Sequence, residues 1–154
     1  MSFQLAPGQL NTRVVERPLI SGYAELEGAV VKVTSGEYEG VGTDAVAAIA
    51  GVMIGPGGTD TSGFNITGHK EFPEHTGQAV WPGPGIVFSC EYVSTIGTIG
   101  EKYALIKDTD NKYKVDFSDT GNDAVRYVGA LSTGVPESQN RVLVTFLPAV
   151  VVDN

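Results

Sequence analysis

The side chains best equipped for chemistry are scattered along the chain. His69 and His75 lie six positions apart with Glu71 and Glu74 between them, and imidazole nitrogens with carboxylate oxygens can hold a transition metal. That spacing matches no zinc frame and lacks cysteine partners, so all four read as solvent-exposed loop residues. Asp108-Thr109-Asp110-Asn111 resembles the opening of a calcium loop. Its fifth and sixth positions, however, are Lys112 and Tyr113, where the motif needs an oxygen ligand and a glycine, and a plain hairpin turn is expected. Cys90 lies in the run Ile86-Val87-Phe88-Ser89-Cys90, where strand alternation puts it on the face of Ile86 and Phe88. It reads as a small buried hydrophobe, not a nucleophile.

Other candidates fail for want of a partner. Gly55-Pro56-Gly57-Gly58-Thr59 has the glycines of a phosphate loop but neither its lysine nor a following helical pattern, and reads as a turn. No serine sits on a glycine-flanked elbow. Asn65-Ile66-Thr67 matches a glycosylation acceptor, which has no physical consequence without export, and no export leader is expected in Met1–Pro18. Trp81, with Phe88 and Tyr92 nearby in sequence, would suit either core packing or a sugar-binding platform. A hydrolase built on His69 or His75 has no positioned nucleophile or base. No enzymatic activity, metal or cofactor is expected.

These side chains must be carried by strands. Val, Thr and aromatic residues recur in short runs between turn signals. The runs are Gly28–Val33, Ile49–Ile54 after a turn at Asp44, Gln78–Trp81, Ile86–Tyr92, Tyr103–Lys107, Lys112–Phe117, Val125–Leu131 and Val142–Leu147. Tyr103–Lys107 and Lys112–Phe117 form the clearest hairpin, closed by Asp108-Thr109-Asp110-Asn111. Residues Gly55–Thr76 form a long Gly-rich loop, and Met1–Pro18 reads as an extended N-terminal arm. The expected fold is all-β: a compact β-barrel or β-sandwich of residues 19–154, preceded by the arm of residues 1–18. Gly42-Thr43-Asp44-Ala45-Val46 is echoed by Gly121-Asn122-Asp123-Ala124-Val125, which would mean two related turn-to-strand units in one domain.

Composition narrows the function classes. The 154 residues are 42% hydrophobic, enough for a sizeable core, yet only 18% charged, with 20 glycines. A net charge of −8 opposes binding to phosphate backbones or anionic lipid, so neither nucleic acid nor membrane is expected as a partner. Neutral polar surface costs less to desolvate than charge and suits contact with another protein. One cysteine forms no intramolecular disulfide, leaving packing and association to stabilise the chain.

Chains of this size, rich in Gly, Ala and Val and built from units such as Gly28-Ala29-Val30-Val31-Lys32-Val33 and Ile49-Ala50-Gly51-Val52-Met53-Ile54, resemble the cement or decoration proteins of tailed-bacteriophage capsids. Tyr127-Val128-Gly129-Ala130-Leu131 and Arg141-Val142-Leu143-Val144-Thr145-Phe146 have the same cast. The likeness covers the strands before Ile54 and Gly85–Leu147. It implies a β-rich, non-catalytic protein, made in the host cytoplasm and bound as a homotrimer to the major capsid protein on the outside of an expanded shell. In that setting the arm would add a strand to a neighbour's sheet edge, with Phe3, Leu5, Leu10, Val14 and Val15 as its anchors. The competing expectation is a carbohydrate- or receptor-binding β-module whose face is Trp81, Tyr92 and the His69–His75 loop.

Overall fold

In the computed structural model, which describes residues 3–9, 12–54, 76–130 and 141–152, turn chemistry sets the strand boundaries. Ser35 and Gly36 both take positive φ, 51° and 84°, the pair of conformations that matches a two-residue hairpin to the twist of its strands. The turn joins β3 (Val30–Thr34) to β4 (Glu37–Gly40). Asn111, at φ 67°, closes the connection between β8 (Lys102–Lys107) and β9 (Tyr113–Asp116), the hairpin anticipated around Asp108. The remaining strands are β1 (Gln4–Leu5), β2 (Val14–Pro18), β5 (Gly51–Ile54), β6 (Thr76–Val80), β7 (Val87–Val93), β10 (Val125–Ala130) and β11 (Arg141–Phe146), followed by a 3-10 turn over Pro148–Val150. Asp44, at φ 58°, sits in a turn and not at the start of a helix. The Gly55–Thr76 loop lies almost wholly outside the described residues.

Strands β7-β11-β10-β8-β9 form a closed barrel. Four of its contacts are antiparallel, and the parallel pair Tyr92↔Val115 and Val93↔Asp116 shuts it. Inside, Phe117 sits against Tyr92, Tyr103 and Tyr127, with ring centroids 5.3, 4.8 and 5.1 Å away and edge-on geometries. The other sheet runs β2-β6-β5-β3-β4. Its outer strands are drawn together by the parallel bridge Leu19↔Tyr38, by the Ile20 amide donating to the Tyr38 carbonyl (3.0 Å), and by the Tyr38 hydroxyl donating to the Val15 carbonyl (2.8 Å).

The two sheets are the same structure built twice. Both have the strand order first-fifth-fourth-second-third, and their ladders are in the same register. Val14↔Val80 through Pro18↔Thr76 in the first corresponds to Val87↔Thr145 through Glu91↔Arg141 in the second. Gly51↔Val31 and Val52↔Val30 correspond to Val125↔Tyr103 and Arg126↔Lys102, and Val52↔Val80 corresponds to Arg126↔Thr145. The bonds outside the ladders repeat as well. Gly28 donates to Met53 (3.0 Å) as Gly100 donates to Tyr127 (2.8 Å), and Ala50 donates to Val31 (2.8 Å) as Ala124 donates to Tyr103 (2.9 Å). The match departs where β10 bulges between Tyr127 and Gly129. The echo of Gly42–Val46 in Gly121–Val125 is not part of this match, because the ladders make Gly51, not Val46, the counterpart of Val125, the first residue of β10.

Of the first eighteen residues, the described ones, 3–9 and 12–18, include two strands that pair with the rest of the chain, so the boundary expected at residue 19 does not separate an arm from the sheets. β1 adds to the edge of β7 through Gln4↔Ser89 and Leu5↔Phe88, while β2 pairs with β6 over its whole length. The physical reason is that both β7 and β6 would otherwise expose unpaired backbone edges. Phe3 is 1% exposed and lies 5.4 Å from Phe146, whose ring also meets Phe88 edge-on at 5.4 Å. Those three rings belong to one hydrophobic core that includes buried residues of both halves.

Candidate functional site

Strand β7 buries Cys90 completely, as alternation implied, and burial pushes its thiol far above the ordinary range, so no nucleophilic thiolate forms there. Beside it, buried Arg141 on β11 donates to the Ser89 carbonyl (3.0 Å) and to the Ser89 hydroxyl (3.1 Å). Burial lowers the Arg141 pKa, and these bonds make the guanidinium a tie between adjacent strands.

The calcium-like loop holds a cation of its own. Lys114 Nζ lies 2.9 Å from Asp108 Oδ2 and 2.8 Å from Asp110 Oδ2, so an ammonium occupies the space a metal would need. Hydrogen bonds from Lys114 hold both carboxyls below the ordinary carboxylate range. Burial pulls the Lys114 ammonium down, but the bonds to Asp110 and Asp108 outweigh it and the net shift is upward. Among the described residues no three His, Cys, Asp or Glu side chains form a metal-ligand group. His69 and His75 lie outside the described residues, as do Asn65–Thr67 and Gly55–Thr59.

A polar cavity of about 360 Å³ opens where the halves meet, lined by Ser21, Tyr23, Glu25, Glu39, Lys107 and Asn111 among others. Glu25 comes from the β2–β3 connection and Lys107 from the end of β8. The ammonium straddles the carboxylate, 2.9 Å from Oε1 and 2.8 Å from Oε2, while lying 5.7 Å above the Tyr113 ring. Tyr113 accepts from the Gly42 amide at 3.0 Å. A Cβ on Gly40 would overlap the Glu25 carboxylate and lie 2.7 Å from the Tyr113 hydroxyl, so a side chain there must displace both. Tyr23 is buried, and its hydroxyl has no hydrogen-bond partner among the described residues. Burial, reinforced by the charge of Glu25, drives that phenol's pKa upward. The arrangement can retain an ordered water or a small polar molecule, but its charged groups are already paired with each other.

The five expected anchors are placed unequally. Phe3 is consumed by the chain's own core, Leu5 is half-buried, and Leu10 lies outside the described residues. Val15 is half-buried with its carbonyl taken by Tyr38, and Val14 projects outward at 46% exposure. Trp81 is no open platform: its indole N–H donates to the Val152 carbonyl (2.9 Å) and Arg13 lies over its ring at 5.4 Å. Tyr92 packs against Phe117.

The surface residues that the sequence did not single out are Ile96 and Ile99 in the β7–β8 connection and Val128 on β10, all exposed. The loop bearing the two isoleucines is tied to β8. The Thr98 amide donates to the Tyr103 hydroxyl (2.8 Å), and a Cβ on Gly97 would overlap that tyrosine. Next to them Lys102 and Arg126, register partners on β8 and β10, are also exposed.

Compared with models of protein families, with curated proteins and with solved structures, the chain matches none.

Proposed function

We propose that the chain is a non-enzymatic virion protein that adheres to the outside of a tailed-phage capsid shell through the major capsid protein and stabilises it. The observation that carries this proposal is the register-matched repeat, Val14–Val80 against Val87–Thr145. One chain therefore carries two strand frameworks of the same order and register, joined through one core. A shell is a lattice that offers the same subunit surface again and again. Once one half has bound, the other searches at high effective concentration, so modest contacts combine into firm attachment. A ligand that binds only the assembled lattice stabilises it by mass action. The low charge fraction, 18%, supports the same conclusion, because such surface is cheap to desolvate against protein.

The test is sedimentation of the purified chain with shells assembled from a tailed-phage major capsid protein. Saturable co-pelleting with expanded shells is expected; a chain that stays in the supernatant overturns the proposal.

A further inference from the structure

The polar cavity between the halves holds more hydrogen-bonding capacity than the chain itself uses. Tyr23 lines it and is 5% exposed, and its hydroxyl has no hydrogen-bond partner among the described residues. The Lys107 ammonium, with three N–H groups, faces the two Glu25 oxygens at 2.9 and 2.8 Å, which leaves it a donor, and the carboxylate retains lone pairs beyond those facing it. Polar groups held from water without partners cost free energy, and a paired carboxylate and ammonium add little stability over packed hydrocarbon.

The framework does not require this chemistry. The turn Leu26–Ala29 corresponds to Thr98–Glu101, so the residue before it, Glu25, corresponds to Gly97. The second half forms the same ladders with no side chain at that place. The walls of the cavity are nevertheless fixed by turns. The Tyr23 amide donates to the Ile20 carbonyl (3.0 Å), with Gly22 at φ 79°, and this tight turn carries Ser21 and Tyr23. From the second half, Asn111 closes the hairpin whose first strand ends in Lys107.

We propose that this cavity binds a neutral polyhydroxylated molecule, a single sugar ring, whose adjacent hydroxyls bond to the Tyr23 hydroxyl and to the Glu25–Lys107 pair. Charge selects a neutral occupant. Glu25 is matched by Lys107, and Glu39 lies 3.8 Å from Lys32 and accepts from the Thr34 hydroxyl (2.8 Å). An anion therefore meets carboxylates, and a cation must compete with Lys107. An apolar occupant leaves the Tyr23 hydroxyl unpaired. A hydroxyl both donates and accepts, so neighbouring hydroxyls of one ring serve a phenol, a carboxylate and an ammonium together. The volume, about 360 Å³, lies within the range of small-molecule sites. Ser21 and Asn111, both exposed, mark the rim, where a glycan chain joined to the bound ring leaves for solvent. The site is separate from Trp81 and Tyr92, and it does not rest on binding to a shell.

Amide NMR of the full chain, titrated with glucose, galactose, mannose and N-acetylglucosamine in turn, tests it. At least one sugar should shift the Gly22, Tyr23, Gly40 and Asn111 amides saturably. Tyr23→Phe should weaken that binding about tenfold without lowering the melting temperature, because it removes a bond to the ligand and none within the chain. Ser21→Phe, at an exposed position, should obstruct the rim and weaken binding as well. Glucuronate and glucosamine, charged forms of the same ring, should bind less tightly than glucose. A glycan array separates the two sources of the ring: capture of glycans by their terminal residue identifies a chain end, and binding of the free sugars alone identifies a monosaccharide. No shift of those amides up to the solubility limit of every sugar overturns the proposal. So do shifts confined to other residues, a charged form that binds more tightly, or a Tyr23→Phe variant that binds like the wild type.

Discussion

Gly28 and Gly100 occupy the same place in two copies of one structure. Each takes positive φ, 83° and 92°, and each donates its amide to a carbonyl of the fourth strand of its half, Met53 or Tyr127. The turns that contain them repeat too, Ala29 donating to Leu26 and Glu101 to Thr98, both at 3.1 Å. A side chain at either position meets the same left-handed backbone strain. Gly28→Ala and Gly100→Ala should therefore each cost about 1 kcal/mol or more in chemical denaturation. A large loss at one and none at the other would contradict their equivalence.

Two tyrosines at the polar cavity should respond in opposite ways. Tyr113→Phe removes the acceptor of the Gly42 amide and should cost about 1–2 kcal/mol. Tyr23→Phe deletes a buried hydroxyl that has no partner among the described residues, and should be neutral or stabilising. Urea denaturation of the two variants beside the wild type measures both.

Acid should loosen the β8–β9 hairpin. Asp108 and Asp110 have folded-state pKa values below their unfolded ones, chiefly through Lys114. The stability they contribute is therefore present above the ordinary carboxylate range and is lost as pH falls through their depressed folded values. Lys114→Met should flatten that part of the profile of melting temperature against pH between neutrality and about pH 3. An unchanged acid slope in the variant would show that the clamp contributes nothing.

The N-terminal segment should be needed for folding. Phe3→Ala empties a site in the aromatic core and should cost about 3–5 kcal/mol. Removing residues 1–18 strips both β1 and β2 from their sheets and should abolish the cooperative thermal transition. A truncated chain that melted like the parent would restore the picture of a detachable arm.

Much of the fold was legible because alternation and turn residues act locally. Val30–Thr34, Val87–Val93 and the hairpin around Asp108 could be read from side chains a few positions apart. β4 was missed because it is only four residues long and alternates Glu with Tyr; the Ser35-Gly36 turn before it was its one signal. β1 and β2 were missed because the edges that order them belong to strands 58 or more residues away. The repeat was nearly invisible for a related reason. Ladder register preserves backbone positions while their occupants diverge, so that Val52 faces Arg126 across the equivalence and Glu27 faces Ile99. That divergence also hid the exposed surface at Ile99 and Val128, whose counterparts lie against the chain's own N-terminal strand.

The most direct test of the proposed role is the temperature at which DNA-filled expanded shells release their contents, measured by the accessibility of DNA to an intercalating dye with and without saturating protein. An upward shift on saturation is the predicted result. Release at the same temperature from shells shown to carry the bound protein would contradict it.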